Sequence, residues 1–425
     1  MVLLGVFGKL HDIIKIDGKN KSITDNIVFR LHYKWTRLLL FVFCIIVSLN
    51  SLVGKPIACT GASSDRLQHV MQTYCWITGT FTYEKYFGSA NQIGDDKLSV
   101  IGIGPGHPEK DEKHHITYYQ WVPVVLFLQG VSFYIPHWIW KMFEDHRIRK
   151  LVDSMVETKL EEKKRRERQG KVIRYLLDSQ GCSRWYAYQY VFCEVLNLLN
   201  AVMNIALVDK FLGGNFFTLG TKLIQYDPED PKAIDPSHYT FPKQTKCTFH
   251  LFGLSGTTER VDSICILPVN IFNEKLYAVM WFWFILLTAV TAANLVWRVA
   301  MMVSPVLRVW ILQMKGHSRD VGNMHVVSQV VNSMTFSDFF FVWLFTKNLN
   351  GVVLFDFLRE YSKTVGNQLS TDSSRMYPTL PHMLELKQRK SINQAESEKG
   401  VQTPLTPSGE DDDVLYASII NKRRA

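Results

Sequence analysis

The chain has 425 residues, a formal net charge of +9, 47% hydrophobic and 13% aromatic residues, and a mean hydropathy of -0.01, so bulk composition leaves a soluble and a membrane protein both open. The distribution excludes the first: apolar residues collect in four long blocks and charges crowd the segments between and after them, unlike the amphipathic periodicity of a soluble core. The positive charge lies mostly on the flanks of those blocks, so it speaks for membrane orientation and against a nucleic-acid partner.

Residues 1–32 open with MVLLGVFGKL, apolar but far too short to span a bilayer. Met1, Val2, Leu3, Leu4, Val6 and Phe7 are candidates to fold back toward a pore entrance. A hydrocarbon core of about 30 Å needs about 20 helical residues, because an open-ended chain satisfies its backbone polar groups in lipid only as helix. Residues 33–53 meet that length with the run LLLFVFCIIVSLNSLV, with Lys34 and Arg37 placed to snorkel at its start. No small-residue cleavage site follows, which fits an uncleaved signal anchor.

After a loop over 54–117, an uncharged second span covers 118–140. Pro136 lies inside it and is expected to kink it, since proline removes a backbone donor and clashes with the preceding turn. The loop 141–185 contains KLEEKKRRERQGKVIR, Lys159 to Arg174, whose mixed signs predict an exposed helix. The third span, 186–208, carries one charge, Glu194. With Asn197, Asn200 and Asn204 it falls within an arc of about 120° at 100° per residue. Such a polar stripe avoids lipid and either lines water or hydrogen-bonds neighbouring helices, and interhelical bonding is the favoured reading.

A loop over 209–275 leads to the uncharged fourth span, 276–296, with Trp281, Trp283 and Trp297 near its ends and a small-residue face of Thr288, Ala289, Ala292 and Ala293 suited to close packing. Residues 297–364 include a further apolar block, Phe339 to Phe357, interrupted by Lys347, Asn348, Asn350, Gly351 and Asp356. One charge at mid-bilayer costs roughly 2.5–3.5 kcal/mol even on lenient scales, so this block reads as a buried helix of a cytoplasmic domain. From 365 to 425 the chain turns to Ser, Thr, Pro, Gln and acidic residues, a composition that predicts a disordered tail. Ser391, after Arg389-Lys390, and Thr403 and Thr406, each before proline, are candidate phosphorylation sites.

Lys and Arg are in clear excess on the flanks that would be inner if the N-terminus is cytoplasmic, which predicts cytoplasmic termini with 54–117 and 209–275 outside. Cys59 and Cys75 then fall in the first outer loop and Cys247 and Cys265 in the second. Two per loop on the oxidising face is the pattern of a disulfide framework. Four cysteines allow three pairings, among which the sequence does not choose. The cluster His107, His114 and His115 has no HExxH, spaced Cys/His set or nucleophile elbow beside it. Neither an enzyme nor a cofactor is expected. The whole is an all-α integral membrane protein with four transmembrane helices, two disulfide-stapled extracellular loops and a helical cytoplasmic domain.

At the mouth of the second span stand Tyr118, Tyr119, Gln120, Trp121 and Val122, followed by Pro123. This YYQWV run resembles the signature of the innexin gap-junction family. YCWITGTF from Tyr74, FPKQTKCTFHLFGLSG from Phe241, CILPVNIFNEKLY from Cys265 and SDFFFVWLFTKNLNGVVLFDFLRE from Ser337 are similar to innexin segments. The resemblance covers about residues 1–362. It implies bridges pairing Cys59 with Cys265 and Cys75 with Cys247. It also implies a ring of innexin subunits, usually eight, docked to a second ring on the adjacent cell, with the N-terminal segment narrowing the pore. Ions and small metabolites would pass unchanged. The alternatives are an undocked plasma-membrane hemichannel and a non-conducting tetraspan adhesion or scaffold protein.

Overall fold

The computed structural model describes residues 24–61, 64–87, 102–104, 111–145, 147–156, 162–178, 184–227, 229, 235–253, 255–316, 321–349, 353–354 and 356–365. The pore-entrance candidates Met1 to Phe7, His107 and the sites Ser391, Thr403 and Thr406 lie outside them. The chain divides into two compact units, Met1–Ser362 and Lys363–Ala425. The fold is that of the first unit; of the second, residues 363–365 are helical.

Four helices are long and apolar enough to cross a membrane: Ile27–Val53 (α1), Val122–Glu144, Trp185–Phe211 and Pro268–Val303. α1 starts where the Asn26 side chain accepts from Phe29 N at 2.6 Å, so the cap satisfies a first-turn donor. Its segment Leu31–Thr36 is π-helical, and the Thr36 hydroxyl donates to Leu31 O at 2.9 Å within it. The second span is two helices, Val122–Ser132 (α3) and Ile135–Glu144 (α4), parted at Phe133–Tyr134. Pro136 stands in the first turn of α4, where its missing N–H costs no intrahelical bond. The third spanning helix is Arg184–Phe211 (α7).

The loop between α1 and α3 holds β1 (Ala58–Thr60), helix α2 (Asp65–Thr78), β2 (Thr80–Tyr83) and β3 (Lys113–Ile116). Ser64 caps α2 by accepting from Leu67 N at 3.4 Å, and Gly79, at φ 87°, ends it. Between α7 and the fourth span lie α8 (Phe216–Gln225), β4 (Gln244–Phe252) and β5 (Thr258–Ile266). The five strands form one antiparallel sheet in the order β1-β5-β4-β2-β3. Strands from the two loops therefore interleave. This sheet is not among the features expected from the sequence.

The fourth spanning helix, α9 (Pro268–Val303), has 36 residues, about 54 Å of helix, so it runs well past a hydrocarbon layer of about 30 Å. It buries Met280, Phe284, Leu287, Thr291 and Arg298. Ala289 and Ala293 of the expected packing face are exposed instead, because the inward stripe is set by the larger side chains. Beyond it come α10 (Pro305–Gly316), α11 (Val321–Asn332) and α12 (Phe336–Thr346). Thr335 caps α12, accepting from Asp338 N at 3.4 Å while its hydroxyl donates to Asp338 Oδ2 at 2.6 Å. Phe339, Phe340, Leu344 and Phe345 are buried, as a packed helix rather than a fifth span requires.

In the loop 141–185, α5 (Arg147–Val156) precedes α6 (Glu162–Asp178). α6 is not wholly exposed: Gln169, Val172, Ile173 and Leu176 are buried. Their i, i+3, i+4, i+7 spacing makes a packed face, while the exposed Glu167 and Lys171 pair at 3.4 Å.

Candidate functional site

The loop module is built around sulfur. Cys59 on β1 lies opposite Cys265 on β5 in the ladder, and the two are bonded. Cys75 on α2 is bonded to Cys247 on β4. Of the three pairings open to the sequence, this is the one formed, and each bridge joins one loop to the other across 206 and 172 residues. The sulfurs of Cys59, Cys75 and Cys265 lie within 4.8 Å of one another. All are oxidised and buried, so they offer no thiolate to a metal.

The YYQWV run splices this module onto the second span. Tyr118 OH donates to Thr240 O at 2.9 Å, and Tyr119 OH to Cys75 O at 3.4 Å. Gln120 Nε2 donates to Trp76 O and Ile77 O, the last carbonyls of α2, which have no intrahelical donors. Trp121 is exposed and Val122 fully buried as α3 begins. Each polar member thus ties the end of the membrane helix to one of the two loops.

At the other end, the stripe on α7 turns into the bundle. Glu194, Asn197 and Asn204 are buried and Asn200 half-buried. Arg298 of α9 reaches Glu194 as a fork, Nη2 to Oε1 at 2.6 Å and Nε to Oε2 at 2.9 Å. Asn26 Nδ2 and Asn294 Nδ2 donate to the same Oε1 at 2.9 and 3.0 Å. The guanidinium lies over the rings of Tyr190, Phe340 and Trp343 at 5.4, 5.0 and 5.2 Å, so the cation is also met by ring quadrupoles. Asn204 Nδ2 donates to Ser132 Oγ at 3.2 Å, joining the third span to the second. Near the π-helical segment of α1, His32 Nε2 and Thr291 Oγ1 are 2.8 Å apart, and Trp283 Nε1 donates to Thr36 Oγ1 at 2.8 Å.

Asn26, Arg298 and the π-helical segment went unread in the sequence. One signal pointed to Arg298: a carboxylate in an apolar span demands a cation, and Arg298 is the first charge after the uncharged run of the fourth span.

The histidines of β3 serve the sheet. The His114 ring stacks on Tyr239 at 5.1 Å, and Tyr239 OH donates to Glu84 Oε1 at 3.2 Å. Burial lowers the His114 pKa against an opposing pull from Glu84. Lys246 is paired with Asp262 at 3.2 Å and lies over the Tyr83 ring at 5.4 Å. Partial burial pushes the Asp262 carboxyl up, but hydrogen bonds from Thr248 and Lys246 together hold it below its usual range. These are packed ion pairs and stacks, with no nucleophile set among them.

Four membrane helices, one sheet woven from two disulfide-joined loops and a helical domain after the fourth span define a tetraspan membrane protein, with Glu194, Asn204 and Thr36 each bonded to a neighbouring helix. The Innexin family model matches residues 25–365. The chain belongs to the innexin family: it is a gap-junction channel subunit, and the family is one of channels rather than enzymes. It is 37% identical to innexin inx3 of Drosophila melanogaster over 389 residues, covering 91% of this chain and 94% of the relative. Innexin shaking-B of the same fly is 35% identical over 86% of the chain and 96% of its own length. Innexin inx2 of Schistocerca americana is 34% identical over 85% and 98%.

Proposed function

We propose that the chain assembles with copies of itself or with related innexin subunits into a ring of eight, which docks onto a second ring on the adjacent cell and passes ions and small metabolites. Both termini lie in the cytoplasm, as the excess of Lys and Arg on the inner flanks supports. Residues 297–364 form the cytoplasmic helical domain. Met1, Val2, Leu3, Leu4, Val6 and Phe7 narrow the pore entrance, and Ser391, Thr403 and Thr406 of the tail are regulatory phosphorylation sites.

The observation that carries the docked reading is the pair of bridges between loops. A surface that must meet another rigid surface loses least ordering entropy when it is already fixed, and these bridges fix both loops in one sheet. The test is electrical: the chain is expressed alone in paired cells without endogenous junctions. Current between the cells is expected. Current confined to the single-cell membrane would replace docking by an undocked hemichannel. Deleting residues 2–10 is expected to change unitary conductance and leave assembly intact; an unchanged conductance removes that segment from the pore.

A further inference from the structure

At the sheet end of the bundle, α8 presents apolar surface that the chain does not cover. Its N-terminus is held by Asp209, whose Oδ1 accepts from Phe217 N at 2.8 Å, after a turn with Gly213 and Gly214 at positive φ. Its inner face carries the buried Phe216, Leu219 and Gly220. Gly220 packs flat on the Trp281 indole, where a Cβ would meet the ring, and Trp281 Nε1 donates to Phe217 O at 3.0 Å. Beside that face, Phe217 and Ile224 stand 63% and 68% exposed. Seven residues apart, they lie within about 20° of each other on the helix. Thr218 and Lys222 are exposed about 100° and 140° further round. The apolar arc is therefore wider than the arc the protein buries.

The depth of α8 follows from its partners. The uncharged run of α9 begins at Leu276, after Lys275, and ends at Trp297, before Arg298; its 22 residues match about 30 Å of hydrocarbon. α8 meets that run through Phe216 against Tyr277, at 6.2 Å, and through Trp281. Both partners lie in its first six residues, where the chain passes from headgroups to acyl tails. The two helices against which α8 packs also expose apolar residues, Leu207 on α7 and Phe282 on α9, as lipid-facing spans do.

We propose that α8 is an in-plane membrane anchor: Phe217 and Ile224 insert among the upper acyl chains of the surrounding lipid, with Thr218 and Lys222 facing headgroups and water. The partner is bilayer lipid, because the face lies at the depth of the lipid boundary, fixed by the contacts of α8 with Tyr277 and Trp281. The inference concerns lipid contact and holds whether or not two rings dock.

The test uses the full-length chain with Cys44, Cys182 and Cys193 changed to Ser and the disulfide cysteines intact. Phe217→Cys, Ile224→Cys and Thr218→Cys are each labelled with an environment-sensitive fluorophore and placed in phosphatidylcholine nanodiscs, with or without brominated acyl chains in both leaflets. Bromolipid is expected to quench the labels at 217 and 224 by about twofold and the label at 218 far less. Red-shifted emission at 217 and 224, quenched by aqueous iodide, would overturn the proposal in favour of an open face. Blue-shifted emission indifferent to bromine would overturn it in favour of a neighbouring subunit. If Phe217→Cys fails to elute as folded protein, Ile224→Cys alone decides, since its side chain is 68% exposed and has little packing to lose. Brominating both leaflets makes the result independent of which way the chain is inserted.

Discussion

Glu194 and Arg298 form a bidentate ion pair between the third and fourth spans, with both side chains 2% exposed. Desolvating two ions is expensive, and their attraction offsets that cost only when every remaining lone pair and N–H finds a partner. Asn26 and Asn294 supply donors to the carboxylate, and three rings surround the guanidinium. One carboxylate thereby connects the start of the first span, the third and fourth spans and α12 of the following domain. Arg298→Met alone leaves a buried, unpaired carboxylate and is expected to cost about 3–5 kcal/mol. The double change Glu194→Met with Arg298→Met should recover most of that loss. Thermal unfolding in detergent of the two single variants and the double, read as a cycle, checks it; additive losses would mean that the two residues do not depend on each other.

The bridges make a second expectation. Cys59→Ser and Cys75→Ser each open a connection between the two loops, and losing a native disulfide typically costs about 2–5 kcal/mol. Junctional current in paired cells should be abolished in both. Cys44→Ser, which removes only a thiol donating to Pro123 O, should conduct like the parent. Normal coupling in the Cys59→Ser protein would mean that the loop module docks without its staples.

Much of this architecture is legible in the sequence, because a bilayer leaves few options: uncharged runs of about 20 residues and basic flanks have one physical reading. Glu194 was legible for the same reason, as a charge too costly to face lipid. The sheet was not. β1, β2 and β3 are only three or four residues long, and β1 and β2 are paired with strands more than 150 residues away, so no local periodicity announces them. The hairpin of β4 and β5, nine residues each, does carry a local signal, the alternation of Cys247, Phe249 and Leu251 with Thr248 and His250. The disulfide partners came from likeness to a family, since Cys59 and Cys265 meet only through that long-range ladder. The π-helical segment at Leu31–Thr36 has no local signature either; it lies where His32 and Thr36 hydrogen-bond to α9.

Gly220 supplies a third expectation. Its Cα touches the Trp281 indole, and an added Cβ would collide with the ring. Trp281 is held by its bond to Phe217 O and packs on Phe282 at 5.0 Å, so it has little room to retreat. Gly220→Ala should therefore destabilise by about 1–3 kcal/mol as overpacking, despite the higher helix propensity of alanine. Gly170, also helical but with open space at its Cβ position, is the control: Gly170→Ala should be neutral to slightly stabilising. Melting temperatures of the two variants decide between packing and propensity.

The last expectation concerns pH. His114 is half-buried in β3, stacked on Tyr239, and burial lowers its pKa, with Glu84 pulling the other way and His115 adding to the depression. A base whose pKa is lower folded than unfolded binds more protons in the unfolded chain, so stability rises with pH through the titration and falls on acidification. The loss should begin near the unfolded histidine value of about 6.5 and grow until the folded group also protonates. Asp262 acts in the same direction at lower pH, since its folded pKa lies below the usual carboxylate range; the stability it contributes is lost as pH falls through the carboxylate titration. The two are separable by where they act. His114→Gln should flatten the pH dependence of the melting temperature just below about 6.5 while leaving the carboxylate limb in place, whereas Asp262→Asn should do the reverse. Identical slopes in the parent and in the His114→Gln protein across the upper limb would mean that the ring has the same pKa in the folded and unfolded chain, and would overturn the depression by burial.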